Sequence, residues 1–244
     1  MNLLKNKVVW ITGGAKGIGA AISRVFLENE AIVIASGSNN LDYYIDNEYL
    51  NEWIINHNNF SYKKCDVRNF KNIKNIYQEI IEQYYRFDVL INNAGVGLFK
   101  PFHETKESEF DNLIEVNVKG PFNCIQTVLP DMLKKEDGTI VNISSVAALD
   151  NFANCAAYNL SKAGLLSLSR SLRNEYRAKN IKIIDVIPGA TDTDIWDEES
   201  RKQFSDRLMK PYNLAKMIVD AVRNSYEGNL LVEEIIIRPI QGNI

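Results

Sequence analysis

Seven short runs, most of them rich in β-branched residues, alternate with segments of helical spacing along this chain, and few folds satisfy that pattern. The runs are Val8–Thr12, Ala31–Ala35, Phe60–Lys64, Val89–Ile91, Thr139–Ile143, Ile181–Ile187 and Leu231–Ile237. Between them, apolar residues recur at helical spacing over Ala20–Leu27, Ile73–Tyr84, Phe110–Leu133, Ala157–Tyr176 and Leu214–Ser225. Strand, helix, strand repeated this way needs crossover connections, which set neighbouring strands parallel in one sheet. Several runs are apolar at every position, as required when helices cover both faces. The expected fold is therefore α/β, a Rossmann-like doubly wound parallel sheet of about seven strands.

No composition shift, linker, internal repeat or low-complexity tract divides the chain, so a single domain is expected over 1–244. The one irregular stretch, 191–211, is polar and charged around Ile195, Trp196 and Phe204. Its place after a strand end suits a lid over a cleft, although a plain surface helix would read the same way. With 45% apolar and 24% charged residues, the chain has material for a sizeable core. A net charge of −3 gives no electrostatic reason to bind nucleic acid or an anionic membrane.

No stretch approaches the ~20 apolar residues of a membrane span. Met1–Lys7 lacks the apolar region of a secretion signal, so a cytoplasmic location is expected. Cys65, Cys124 and Cys155 are odd in number and form no CxxC pair, which reads as reduced structural thiols. His57 and His103 are the only histidines, too few for a His-based triad or zinc site; no metal is expected.

The first strand runs into Thr12-Gly13-Gly14-Ala15-Lys16-Gly17-Ile18-Gly19, followed by a helical pattern. Glycines at such a junction permit a tight turn and let the backbone approach a pyrophosphate, which the free N–H groups of the helix N-terminus attract. The spacing departs from GxGxxG and matches the TGxxxGxG turn of the short-chain dehydrogenases, a family the sequence resembles over nearly its whole length. The resemblance implies a set of cofactor contacts. Gly13, Lys16, Gly17, Ile18 and Gly19 belong to the phosphate turn. Asn92-Asn93-Ala94-Gly95 corresponds to the family's NNAG element beside the adenine ribose, with Asn93, Ala94 and Gly95 at the cofactor. Asp66 matches the residue that hydrogen-bonds the adenine ring. Pro188, Gly189 and Thr193 match the segment that holds the nicotinamide carboxamide.

An NAD enzyme carries an acid after the second strand to accept from the ribose 2′-OH. Here that stretch reads Ile34-Ala35-Ser36-Gly37-Ser38-Asn39, without an acid. Lys16 stands where the family's NADP users place a base against the 2′-phosphate, and Ser38 is a second donor toward it. NADP(H) is therefore expected ahead of NAD(H). The competing reading leaves Lys16 as a solvated loop lysine.

Tyr158-Asn159-Leu160-Ser161-Lys162 has the YxxxK spacing, which sets phenol and ammonium on one face of a helix. A close cation favours the phenolate and would lower a phenol pKa from about 10. Tyr212-Asn213-Leu214-Ala215-Lys216 repeats the spacing, so the motif alone does not choose. In the family a catalytic Ser lies thirteen residues before the Tyr, at a strand end. Ser145 satisfies that for Tyr158, whereas Tyr212 would require Glu199. Ser144 is the rival of Ser145, with a structural or cofactor-side role when Ser145 is the donor. Asn117 matches the family Asn that bends its helix and anchors a water relaying protons to the Lys; without the resemblance it is a polar residue interrupting a helix. The implied roles are Tyr158 as general acid/base, Ser145 polarising the carbonyl, and Lys162 holding the nicotinamide ribose and tuning the Tyr.

The expected activity is NADP(H)-dependent interconversion of a carbonyl compound and an alcohol. The rival is a non-catalytic dinucleotide-binding regulator, which usually loses the Tyr, Lys or Ser; an epimerase or dehydratase calls for a longer chain. The ending Val232–Pro239 lacks the glycine-rich tail of 3-oxoacyl-carrier-protein reductases and suits small 3-hydroxy acids or miscellaneous ketones and aldehydes. Asp192, Asp194 and Trp196 are expected to border the substrate pocket and to suit a neutral polyol or sugar-like ketone over a carboxylate. A homodimer or homotetramer through Phe110–Leu133 and Ala157–Tyr176 is implied by the family.

Overall fold

In the computed structural model, which describes residues 2–45, 50–228 and 230–242, strand β1 (Val8–Thr12) is buried at every position. The chain continues through α1 (Gly17–Glu28), β2 (Ile32–Gly37), the single turn α2 (Glu52–Ile55), β3 (Phe60–Lys64) and α3 (Phe70–Tyr84). After β4 (Val89–Asn92) come α4 (Glu107–Ile114), a π-helical turn over Glu115–Lys119, and α5 (Gly120–Lys135). The last part comprises β5 (Gly138–Ile143), α6 (Ala156–Tyr176), β6 (Ile181–Pro188), α7 (Glu198–Gln203), α8 (Pro211–Asn224) and β7 (Glu234–Ile237). The sheet order is β3-β2-β1-β4-β5-β6-β7, parallel throughout. The expected single domain over 1–244 includes Met1, residues 46–49, Asn229 and residues 243–244, which lie outside the described residues.

Alternate residues of each strand serve different faces. Val9, Ile11, Val33, Ile91 and Val141 pack with Ala20, Phe26, Leu214 and Ile218 of α1 and α8. Val8, Trp10, Ile34, Leu90 and Ile140 pack with Ile73, Ile76, Cys124 and Val128 of α3 and α5. Near the carboxyl ends the pattern changes. Lys63, Ser36, Thr12, Asn92, Asn142, Asp185 and Glu234 stand in register across all seven strands. Buried members of this polar row find partners: Trp10 Nε1 donates to Ser36 Oγ at 3.0 Å, Asn92 Nδ2 to Asn142 Oδ1 at 2.8 Å, and Asn142 Nδ2 to Ser169 Oγ at 2.8 Å. Arg173 of α6 pairs with Asp185 at 2.6 Å and donates to the carbonyls of Ile183 and Glu233. Low dielectric makes such paired groups strong and an unpaired one costly.

Several element ends differ from the sequence-based expectation by one to three residues, and two differences bear on the fold. The run Leu231–Ile237 becomes a strand only from Glu234, where pairing with Asp185 begins. The helix expected over Phe110–Leu133 is two helices joined by the π turn. Pro121 has no N–H to give the carbonyl of Asn117, and its ring crowds that carbonyl, so α-helical bonding fails there. Among the described residues no helix is long and apolar enough to cross a membrane.

The strand order reverses direction between β1 and β4, and doubly wound sheets bind ligands in the crevice outside such a reversal. The polar row and the loops beyond it form the floor of that crevice.

Candidate active site

A cleft of about 690 Å³ opens at these strand ends. Its near wall is the glycine turn, and the sequence fixes that turn by side chains on both flanking strands. Thr12 Oγ1 accepts from the N–H groups of Asn93 and Ala94, each at 3.1 Å. Asn93 Nδ2 returns the link, donating to the carbonyls of Thr12 and Gly13 at 3.0 Å each. Gly13 has φ +63°, the left-handed region that glycine occupies without strain. Gly19 is needed for closeness: a Cβ there would stand 2.1 Å from the Gly13 carbonyl oxygen. The N-cap of α1, Lys16, makes no capping bond, and the first turn carries no acid. The free N–H groups and positive dipole end of α1 thus remain available to an anion. Lys16 is exposed, lines the cleft, and forms no ion pair or side-chain hydrogen bond among the described residues.

Tyr158, Lys162, Ser144 and Ser145 line the same cleft. The Tyr158 ring is 7% exposed and packs with Leu113, Ala147 and Ala157. Burial pushes its phenol up to about 12, partly offset by a hydrogen bond from Ser145. Lys162 lies one turn further along α6, its Nζ 5.9 Å from the Tyr158 ring centroid and donating to the Ile143 carbonyl at 3.0 Å. Burial pulls its ammonium down to about 8. The expectation that Lys162 lowers the Tyr158 pKa is thus corrected for this state. The ammonium serves a backbone carbonyl, and desolvation of the phenol prevails.

The two serines separate by hydrogen bonding. Ser144 Oγ donates to the Lys162 carbonyl at 3.2 Å, tying β5 to α6. Ser145 caps the following 3-10 turn, its Oγ accepting from the Ala147 N–H at 3.1 Å while it reaches Tyr158. Asn117 is fully buried on the π turn. Its Oδ1 accepts from Val96 N at 2.9 Å, and its Nδ2 donates to the Val96 carbonyl at 2.9 Å and Ser161 Oγ at 3.0 Å. A Cβ on Gly95 would stand 3.4 Å from both Asn117 Oδ1 and Lys162 Nζ, so the missing side chain leaves a gap between these two groups. The second YxxxK lies elsewhere. Tyr212 starts α8 after Pro211 and donates to Glu28 of α1 at 2.9 Å.

Gly13, Lys16, Gly17, Ile18, Asn93, Ala94, Gly95, Pro188, Gly189 and Thr193 also line the cleft. Gly19, Ser38, Asp66 and Asn117 do not. Gly19 packs beneath the turn, and Ser38 is exposed after β2. The Asp66 carboxylate is held by Arg68, with Nε–Oδ1 3.0 Å and Nη2–Oδ2 2.7 Å, and that guanidinium holds its pKa below the usual range. Of the expected pocket border, Asp194 and Trp196 line the cleft, but Asp192 does not. Its carboxylate faces Arg201 at 2.9 Å and Lys210 at 3.0 Å, which draw it out of the cleft.

Sequence reasoning overlooked Thr12 as the latch of the turn, and Phe99, Val146, Ala147, Phe152 and Cys155 as lining. Thr12 had a signal, as the last residue of a strand inside a glycine motif. The loop residues had none, because no spacing rule ties them to the cleft. Among the described residues no group of three His, Cys, Asp or Glu could hold a metal ion.

Comparison with known proteins gives a consistent picture. The family described as short chain dehydrogenase matches residues 7–203. The 3-oxoacyl-[acyl-carrier-protein] reductase FabG of Thermotoga maritima is 32% identical over 231 residues, 88% of this chain and 90% of that protein. The sepiapterin reductase of Chlorobaculum tepidum is 31% identical over 245 residues, 97% and 98% of the two chains. Among solved structures, ElxO with NADP bound aligns with TM-score 0.84 at 29% identity, covering 95% of this chain and 97% of that one. A metagenomic short-chain oxidoreductase in complex with NADP aligns with TM-score 0.81 at 28% identity, covering 97% and 98%.

Proposed function

Because the chain belongs to the short-chain dehydrogenase family of oxidoreductases, we propose that it interconverts a carbonyl compound and an alcohol with NADP(H), using Tyr158 as the general acid/base. The observation that carries this reading is the convergence of Tyr158, Ser145 and Lys162 on one cleft that runs to the glycine turn.

The residues present fit a dinucleotide. The turn has no side chain at Gly13, Gly14 or Gly17, and an uncapped helix N-terminus stands behind it. Gly13, Gly17 and Ile18 would hold the pyrophosphate, Ala94 and Gly95 the ribose side, and Pro188, Gly189 and Thr193 the nicotinamide carboxamide. Lys16 supplies the charge for a 2′-phosphate. The lack of an acid over Ile34–Asn39 supports the preference for NADP(H). When bound, the reduced nicotinamide supplies the hydride that adds to the carbonyl carbon.

Tyr158 keeps its proton at neutral pH because burial disfavours the phenolate, and it gives that proton to the oxygen as alkoxide character develops. Ser145 donates a hydrogen bond to the same oxygen, worth most where the charge is greatest. Lys162 anchors α6 to the end of β5 and keeps a positive charge beside the reacting groups. Asn117 Oδ1 has a second lone pair, and the gap left by Gly95 gives a relay water a place between it and Lys162. Self-association belongs to the same reading: Phe110, Phe122 and Leu160 are 36%, 46% and 53% exposed on α4, α5 and α6.

Tyr158→Phe tests the assignment. Loss of the transferable proton should lower carbonyl-dependent NADPH oxidation by about 10²–10⁴-fold. The dissociation constant for NADPH, measured by calorimetry, should stay unchanged. Retained turnover in this variant would remove Tyr158 from the mechanism.

A further inference from the structure

We propose that the substrate end of the cleft selects neutral, planar, apolar carbonyl compounds, aryl ketones and aldehydes above all, and rejects carboxylates; this rests on the reductase reading above. Beyond Tyr158 the wall is a run of aromatic rings. Phe99 meets the Tyr158 ring edge-on, with centroids 5.4 Å apart and planes at 66°. Trp196 stacks on Phe99, with centroids 5.4 Å apart and planes within 7°. Three rings from three separate segments thus run from the proton donor toward the mouth of the cleft. Val146, Ala147 and Phe152 add apolar lining.

The wall is held by packing on both sides. Gly97 leaves room for Ile195: a Cβ there would stand 2.8 Å from Ile195 Cγ1 and 2.8 Å from Phe99 Cε2. The segment bearing Trp196 is therefore seated against the loop bearing Phe99. Arg201 of α7 secures it from outside, shared between Asp192 at 2.9 Å and Asp194 at 3.0 Å. A flat substrate ring continues such a wall, because aromatic faces and edges attract through their quadrupoles.

Charge points the same way. No Arg lines the cleft among the described residues, and its only lysines are Lys16 and Lys162. Lys16 stands at the glycine turn, where α1 begins, and Lys162 already donates to the Ile143 carbonyl. Asp194 lines the cleft beside Trp196 with its side chain 54% exposed. A substrate carboxylate would lose water and find no guanidinium in the lining to fork onto. The polyol-like substrate expected from Asp192, Asp194 and Trp196 loses its main support, since Asp192 faces Arg201 and Lys210.

The test measures NADPH oxidation with acetophenone, methyl 4-acetylbenzoate, 4-acetylbenzoate, acetoacetate and dihydroxyacetone. The two neutral aryl ketones should exceed 4-acetylbenzoate in kcat/KM by about 100-fold, and acetoacetate and dihydroxyacetone by at least tenfold. Asp194→Arg should narrow the gap to 4-acetylbenzoate. Trp196→Ala should raise the KM for acetophenone at least tenfold, and Trp196→Phe should restore most of it. Equal or better use of the carboxylates or of dihydroxyacetone overturns the proposal while leaving the reductase reading intact. So does an unchanged KM in a Trp196→Ala protein whose melting temperature matches wild type. If no ketone is reduced, the reductase reading fails. Calorimetry with NADP+ present then still decides the site: binding of acetophenone without 4-acetylbenzoate supports the proposal, and the reverse overturns it.

Discussion

Replacing Gly19 with Ala should damage the protein far more than one methyl group ordinarily does. The added Cβ would stand 2.1 Å from the Gly13 carbonyl oxygen, 2.5 Å from Asn93 Nδ2 and 2.8 Å from the Gly13 carbonyl carbon. Two of these atoms are backbone and cannot swing aside as a flexible side chain would. The first turn of α1 must retreat by about an ångström to restore ordinary contact. Overpacking of this kind costs about 1–3 kcal/mol. The retreat also breaks the two bonds from Asn93 Nδ2, each worth about 1 kcal/mol. Alanine in place of a helical glycine returns about 1 kcal/mol. The net loss is about 2–4 kcal/mol, or a melting temperature lower by roughly 4–16 °C for a chain of this size. Gly164 of α6 provides the opposite case. A Cβ there meets only Val118 Cγ2, at 3.8 Å, so Gly164→Ala should raise stability by about 0.5–1 kcal/mol. Scanning calorimetry of both variants, with NADPH titration of each, is the assay. A Gly19→Ala protein that melts and binds NADPH like wild type would refute the close-approach argument. A Gly164→Ala protein that lost as much would show that glycine replacement is harmful regardless of space.

Three further outcomes follow from the site. With the Tyr158 phenol pushed up to about 12 and the Lys162 ammonium pulled down to about 8, carbonyl reduction should hold level from about pH 6 to 8 and decline above that; alcohol oxidation, which needs the deprotonated phenol, should keep rising with pH. A reduction rate already falling on the acid side of neutrality would contradict this order. Lys16→Glu should weaken NADPH by about 10–100-fold and NADH little, by calorimetric titration. Arg173→Met leaves Asp185 buried without its ion pair and should cost about 3–5 kcal/mol in urea unfolding. A variant as stable as wild type would mean that the pair adds nothing.

The sheet was legible mainly because apolar runs such as Val8–Thr12 report burial on both faces directly; Phe60–Lys64 coincides with β3 although this edge strand has no buried residue. Element ends were less so. Glycine and proline near 120 carried the break in the long helix, but an apolar pattern that continues past Pro121 hides it. Within the site, Tyr158, Lys162 and Ser145 share one cleft because fixed spacing on α6 and at the end of β5 dictates their placement. Spacing favoured Ser145 over Ser144, but the different hydrogen bonds of the two were not legible, since they depend on how the end of β5 meets α6. The direction of the pKa shift at the Tyr158 phenol was not legible. Sequence records that a lysine lies one turn away, and says nothing of how dry the phenol is or that the lysine points at Ile143. Phe99 and Trp196 were beyond reach as a pair, because they meet only when two loops of unrelated spacing fold over one strand edge.

The π turn at Glu115–Lys119 has a consequence for insertions and deletions. Such a turn amounts to one residue more than an α-helix would use, and each residue advances a helix by about 100°. Deleting a single residue there would remove the turn's extra residue, with Pro121 still interrupting the bonding. Everything downstream would then rotate by that angle, swinging Cys124, Val128 and Met132 away from the sheet against which they are buried. The extra residue that presents the Asn117 amide to Val96 and Ser161 also sets the rotational phase of α5. A lineage of such proteins could exchange the side chain at 117 one base at a time, but it could not shorten the backbone there without rebuilding half of the core.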